Sequence, residues 1–420
     1  MSFTIRLAKR TPFFYGWMVV FAAGTTQFTR NSVAALTLAV FVYPISQDLE
    51  WSRTTIAGAA SAGGLASSIA SPFIGKLLDK YGVRLILTIS ILILGLSTIS
   101  LAWATIPLLF YISYGLGRVI FSSSVQIGTS IVVSQWFIRR RGIATGILFL
   151  CHASGMILFP IVSSTLIHSV GWQNAWIVTG ILVWIIALFP VSLLILQRPE
   201  DAGLRPDGMK VDESVLTISD AINEPGWTLS KALSTKPLWI LAIAGGNLFL
   251  IQTGVNIHIG AYVLDRGLSF TLSASVITVN AVFAGIGSIV WGWLCDRFEV
   301  RWIFTCVAIA ISLASALFIF ASSTSLLIVS AALFGFGIGG MLVVPPVAFA
   351  NYFGLESLGA IRGITEPFSS MGQAIGAVLS GFIYDSTGSY QLAFISFTIL
   401  ACFTALALAM CTPPKHQPNN

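Results

Sequence analysis

Residues 75–84 read GKLLDKYGVR, and residues 292–301 read GWLCDRFEVR. Each copy sets a glycine, then an aspartate, then an arginine at the same spacing: Gly75, Asp79 and Arg84, then Gly292, Asp296 and Arg301. The copies lie 217 residues apart in a chain of 420, and each follows a long apolar stretch. Looser echoes keep almost the same offset. Gly171-Trp-Gln-Asn-Ala175-Trp176 is answered by Gly388-Ser-Tyr-Gln-Leu-Ala393-Phe394, and Tyr114-Gly-Leu-Gly117 by Phe334-Gly-Phe-Gly337. The chain therefore reads as two parallel copies of one unit. Parallel repeats of apolar helices are a transporter architecture, with a solute site expected between the halves near the bilayer midplane.

Composition agrees. Apolar residues make up 56% of the chain and charged residues 9%, where an ordinary soluble domain carries about 25% charged. That excludes a disordered chain and leaves too few polar groups to coat a soluble globule. A helix needs roughly 20 residues to cross the hydrocarbon core. Apolar runs of that length predict twelve helices at 14–42, 54–74, 84–104, 107–133, 142–167, 172–196, 237–262, 272–294, 301–321, 325–350, 361–384 and 390–411. The predicted fold class is thus an all-α polytopic membrane protein, with twelve transmembrane helices in two six-helix pseudo-symmetric halves. The halves are 1–196 and 237–420, joined by a polar linker over 197–236 in which Trp227–Leu233 forms a short surface helix.

The 22 Lys and Arg orient this arrangement. With both termini in the cytoplasm, eighteen of them fall on the cytoplasmic side. Arg53 and Arg266 fall outside, and Arg30 and Arg118 within spans. The positive-inside rule selects this topology over its reverse and predicts a multi-pass protein of the cell's inner (plasma) membrane. The net charge of +6 is then a topology signal rather than a nucleic-acid footprint. The start, MSFTIRLAKRTPFFYGW, runs into the first span without a small-residue cleavage site and is not read as a signal peptide. The five cysteines form no CxxC pair, so neither a disulfide framework nor a metal centre is expected. No P-loop or HExxH occurs, and the four histidines are far apart, so no enzyme, cofactor or metal is predicted.

The residues quoted resemble the major facilitator superfamily over nearly the whole chain. GKLLDKYGVR looks like its loop 2–3 motif, Gly115-Leu-Gly117-Arg118 like its helix 4 arginine motif, and Gly155-Met-Ile-Leu-Phe-Pro160 like its helix 5 motif. YGWMVVFAAG, WSRTTIAGA, WFIRRRGIATGI, RPEDAGLRPDG and GFIYDSTGSY resemble the bacterial monocarboxylate-porter and oxalate/formate-antiporter branch. The resemblance implies a monomeric transporter whose partners are a small solute, a proton and the lipid bilayer. It also implies a conformation-locking role for Gly75, Asp79, Arg84, Asp296 and Arg301. One departure stands out. Where that branch often carries an anion-binding arginine in helix 8 this chain has Ser288, and its helix 11 lysine falls on Ser369.

The cation must then be sought elsewhere. A charge at the bilayer centre costs roughly 2.5–3.5 kcal/mol on insertion scales, so it persists where a partner, water or a solute faces it. Arg30 and Arg118 are the deepest. Arg118 shares a helical face with Ser122, Gln126 and Thr129, and Arg30 with Thr26 and Gln27. A guanidinium presents a bidentate fork to a carboxylate, but a structural or coupling arginine is equally open for Arg118. Polar candidates for solute contact in the second half are Gln252, Asn256 and Asn280. Candidates for proton coupling are His152, His258 and Glu366, although Glu366 at four residues from Arg362 also reads as a helix-end ion pair. The expected function is secondary active transport of a small organic anion, a monocarboxylate coupled to protons. The alternatives are export or facilitated passage of a neutral or amphipathic molecule, and anion exchange.

Overall fold

The computed structural model describes residues 3–209, 227–321 and 323–414, and all regular structure among them is helical. Of the expected linker, residues 210–226 lie outside the described residues, as do Lys415 and His416. The helices are α1 (Phe3–Arg10), α2 (Gly16–Thr29), α3 (Ala35–Asp48), α4 (Arg53–Tyr81), α5 (Val83–Ser100), α6 (Pro107–Val119), α7 (Gln126–Trp136), α8 (Arg141–Val183) and α9 (Phe189–Leu194). After the linker follow α10 (Leu229–Leu233), α11 (Lys236–Asp265), α12 (Phe270–Cys295), α13 (Val300–Phe320), α14 (Thr324–Phe353), α15 (Leu358–Thr387) and α16 (Gln391–Ala409).

Among the described residues, nine apolar segments are long enough to cross a bilayer. One of them, Arg141–Leu194, has 54 residues. At about 1.5 Å per residue that is far more than a hydrocarbon core of about 30 Å. Gly171, at φ 82 and ψ 164, breaks it into two passes. A side chain would strain that conformation, which explains the glycine in GWQNAW. The remaining two passes are α4 and α15. Both carry rows of small and polar residues, such as Gly64, Ser67 and Ser71 on α4 and Ser369, Gly372 and Gln373 on α15, which lower their mean hydropathy. The result is the twelve-helix layout of two six-helix halves.

Local sequence sets several helix starts. Ser52, Ser269 and Ser323 accept the backbone N–H of Thr55, Leu272 and Leu326, as N-caps do. Gly82 joins α4 to α5 at φ 86, so the glycine of GKLLDKYGVR is demanded by the turn. Its counterpart Glu299 adopts φ −59 and instead pairs with Arg301 at 3.3 Å. A short helix is present in the expected stretch as α10, capped by Thr228.

The first span differs from the single helix expected over 14–42. It runs from Gly16 to Asp48 and tightens into a 3-10 turn at Arg30–Val33. Ala34 is extended, at ψ 155, before α3 begins. Likewise α6 passes into α7 through a π-helical turn at Ile120–Val125. No glycine or proline marks either break, so local propensity does not reveal them.

The chain divides into two compact units. The first contains Met1–Trp227 and Leu355–Pro367, the second Thr228–Gly354 and Phe368–Asn420. In the first unit Tyr15 donates to the carbonyl of Leu194 at 2.9 Å, and Trp136 to that of Leu196 at 2.9 Å. Phe41 stacks on Trp176 at 3.7 Å. In the second unit α12 and α14 cross at close range. A Cβ on Gly335 would collide with the carbonyl of Asn280, and one on Gly339 with that of Ala284. Apolar helices in lipid gain their association from such packing, since burial itself is nearly neutral there.

Candidate solute-binding site

The 3-10 turn in the first span and the π turn after α6 build one polar centre in the first unit. The polar faces read from the sequence meet: Gln27 donates to Thr129 at 2.7 Å, and Arg30 donates from Nη1 to Gln126 Oε1 at 2.5 Å. Nη1 also donates to the carbonyl of Phe121 at 3.1 Å, inside the π turn. The Nε of Arg30 donates to Nδ1 of His152 at 3.3 Å. Arg30 is 3% exposed, yet every one of these partners is neutral.

Arg118 is held differently. It is half-buried and makes no hydrogen bond among the described residues, and its Nε is buried without a partner. Its guanidinium lies over the Phe121 ring with Cζ 4.6 Å from the centroid, and the Cζ of Arg30 is 4.4 Å from that centroid. The His152 ring stands 6.1 Å from the same centroid. A cation over a ring gains about 0.5–2 kcal/mol, well short of what a desolvated guanidinium loses. The centre therefore combines two cations, one uncompensated and one with only neutral hydrogen-bond partners, around a half-buried phenyl ring.

Glu366 supplies the nearest counter-charge. It is 6% exposed and pairs with Arg362 at 3.0 Å, and its charge also acts on Arg30. The sequence reading gave the pair but set it shallow at a helix end. The structure buries both partners, because Leu355–Pro367 packs within the first unit. Burial changes what the pair means: an exposed i,i+4 pair contributes a few tenths of a kcal/mol, whereas removing one partner here would leave the other charge buried and uncompensated.

The repeated motif forms a separate contact in that unit. The carboxylate of Asp79 accepts the backbone N–H of Gly359 at 2.9 Å and of Ala360 at 2.7 Å, capping the first turn of α15. Gly75 permits the approach, since a Cβ there would meet the Gly359 carbonyl. Both N–H bonds favour the ionised form of the Asp79 carboxyl. Arg84 does not reach Asp79. It donates to the carbonyl of Ser192 at 3.1 and 2.5 Å, clamping the end of α9.

In the second unit the candidates stay apart. Gln252 accepts from Thr253 at 3.1 Å, while Asn256 Oδ1 and Asn280 Nδ2 are buried without hydrogen-bond partners. His258 bridges Tyr390 and the carbonyl of Ala377, each at 3.1 Å. Asp296 ends α12. No cluster of metal-ligating side chains occurs among the described residues. Two residues of the centre escaped the sequence reading. Phe121 stands three positions after Arg118 and so shares its face, a usable signal. Asn31, next to Arg30, carried none.

Comparison with known proteins adds the decisive observation: the family model described as Major Facilitator Superfamily matches residues 16–288 and 265–420. The chain belongs to the Major Facilitator Superfamily. It is a multi-pass membrane transporter of that superfamily, whose members are not enzymes. Among similar members is rat monocarboxylate transporter 13, 26% identical over 397 residues, covering 91% of this chain and 85% of that protein. Solved superfamily structures share the fold. The human organic anion transporter MFSD10 (TETRAN) aligns with TM-score 0.72 at 12% identity, over 95% of this chain and 100% of that one. The Escherichia coli fucose:proton symporter FucP aligns with TM-score 0.70 at 14% identity, over 93% of this chain and 98% of that one.

Proposed function

We propose that the chain carries a small organic anion, a monocarboxylate, by proton-coupled alternating access, with both termini cytoplasmic and residues 1–196 and 237–420 as the moving halves. The observation that carries this reading is Arg118, a half-buried guanidinium without an acceptor, sharing Phe121 with Arg30. Such a pair calls for an anion, and a carboxylate matches the guanidinium fork in charge and shape. The reading also answers the missing cations at Ser288 and Ser369, because the first unit supplies two of its own. The names of the relatives point the same way, toward monocarboxylates and organic anions.

Glu366 is the proposed proton-coupling group. Its charge reaches both Arg362 and Arg30, so protonating it would weaken the hold on Arg30. Asp79 is the proposed lock, since a state in which α15 moves away must release the N–H groups of Gly359 and Ala360. The test is uptake of labelled lactate, pyruvate, oxalate and formate into proteoliposomes, with and without an imposed pH gradient. Uptake driven by the gradient and abolished by a protonophore supports the reading. Uptake that ignores the gradient and requires trans substrate makes the protein an exchanger.

A further inference from the structure

His152 is fixed in one tautomer by its neighbours. Its Nδ1 receives the Nε–H of Arg30 at 3.3 Å and faces Asn31 Nδ2 at 3.1 Å. The Asn31 amide is oriented unambiguously, because the same nitrogen faces the carbonyls of Gln27 at 3.0 Å, Phe28 at 3.1 Å and His152 at 3.2 Å. Reversing that amide would set oxygen against three carbonyl oxygens. With donors on Nδ1 from both sides, that nitrogen holds its lone pair, and the ring proton resides on Nε2. Nε2 makes no hydrogen bond among the described residues and is not among the sealed, unpartnered atoms. It is a donor held ready on a residue that is 9% exposed.

We infer that His152 is a direct contact of the transported anion, donating its Nε2–H to an oxygen of the solute that Arg30 and Arg118 bind. The inference rests on the anion reading above and assigns His152 a role in binding rather than in carrying the proton. The ring stands beside Phe121, as both arginines do. One hydrogen bond links it to Arg30, so anchoring Arg30 through Nδ1 and contacting solute through Nε2 are separable functions.

Two substitutions separate them. An asparagine places its amide near the Nδ1 position and keeps an acceptor for Arg30 while losing the Nε2 donor. A glutamine reaches the Nε2 position with an amide N–H and loses the Nδ1 acceptor. In proteoliposome uptake of labelled pyruvate, lactate, oxalate and formate, His152→Asn is expected to raise KM about tenfold, the loss typical of one hydrogen bond to a charged group. His152→Gln is expected to stay within about threefold of wild type, since it keeps that bond. The reverse order, with asparagine restoring and glutamine failing, would show that His152 acts only by positioning Arg30 and would overturn the inference. Wild-type protein that takes up none of the four anions removes the anion reading itself. Solid-state nitrogen NMR of histidine-labelled protein in liposomes at pH 7.5 tests the tautomer without any solute. A bare Nδ1 and protonated Nε2, assigned by their loss in His152→Gln, are expected. A ring protonated on Nδ1 contradicts the assignment.

Discussion

Arg30 and Arg118 address the same phenyl ring, with Cζ atoms 4.4 and 4.6 Å from the centroid of Phe121, yet their environments are opposite. Arg30 donates to Gln126, to the Phe121 carbonyl and to His152, while Arg118 donates to no described residue. One arginine is part of the scaffold and the other waits for a partner.

Thermal stability should divide the pair accordingly. Arg30→Gln removes several buried hydrogen bonds and leaves their acceptors unmet, at about 1–3 kcal/mol for each stranded group. Its unfolding midpoint in detergent is expected to fall by several degrees. Arg118→Gln strands nothing and should unfold within a degree or two of wild type, as substitutions away from established contacts do.

Gln126 tests how Arg30 is held. Gln126→Leu withdraws the 2.5 Å acceptor and faces the guanidinium with a methyl group. A loss of about 1.5–3 kcal/mol is expected, read as a lower unfolding midpoint, because a charge-assisted bond is lost and the donor stays buried. Gln126→Glu, which keeps an oxygen there and adds a counter-charge, should recover the midpoint and depress uptake by occupying the cation with a fixed anion.

The cap at Asp79 predicts a local effect. Asp79→Asn retains one acceptor oxygen but loses the charge that complements the start of α15. Charge at a helix terminus contributes about 0.3–2 kcal/mol. Hydrogen–deuterium exchange over residues 355–367 should therefore speed up about two- to thirtyfold, with exchange in α12 unchanged. Unaltered exchange at Gly359 and Ala360 would mean that the cap does not hold that segment.

Asp207 holds the segment after the sixth span. It accepts the backbone N–H of Ile138 at 2.8 Å, Arg139 at 2.7 Å and Arg140 at 3.3 Å, from a left-handed backbone at φ 57. Asp207→Gly relieves the backbone and removes the carboxylate, while Asp207→Asn keeps an acceptor oxygen. Limited proteolysis between residues 199 and 209 should be faster in the glycine variant and close to wild type in the asparagine variant.

What the sequence disclosed, and what it withheld, follows from the range of the interactions. Apolar runs and the GKLLDKYGVR echo depend on neighbours along the chain, and they revealed the helices and the repeat. The polar faces of Arg30 with Gln27 and of Arg118 with Gln126 and Thr129 were visible as helical spacing. Their mutual pairing was not, because it depends on how two helices rotate against each other. Depth was hidden too. Arg362 and Glu366 read as a shallow pair closing a helix end by position, and only packing showed them buried. Phe121 shared the Arg118 face but was one of 29 phenylalanines, most of which could equally face lipid. The breaks at Arg30–Val33 and Ile120–Val125 lack glycine and proline, so tertiary contacts rather than propensity account for them.

The measurement that bears most directly on the account is proteoliposome uptake of labelled pyruvate, lactate, oxalate and formate by wild type, Arg30→Gln and Arg118→Gln. Saturable uptake of at least one anion by wild type is expected. Arg118→Gln should raise its KM tenfold or more, the effect of about 1.4 kcal/mol of lost binding, without loss of folded protein. If both arginine variants transport that anion as wild type does, the anion site around Phe121 is wrong.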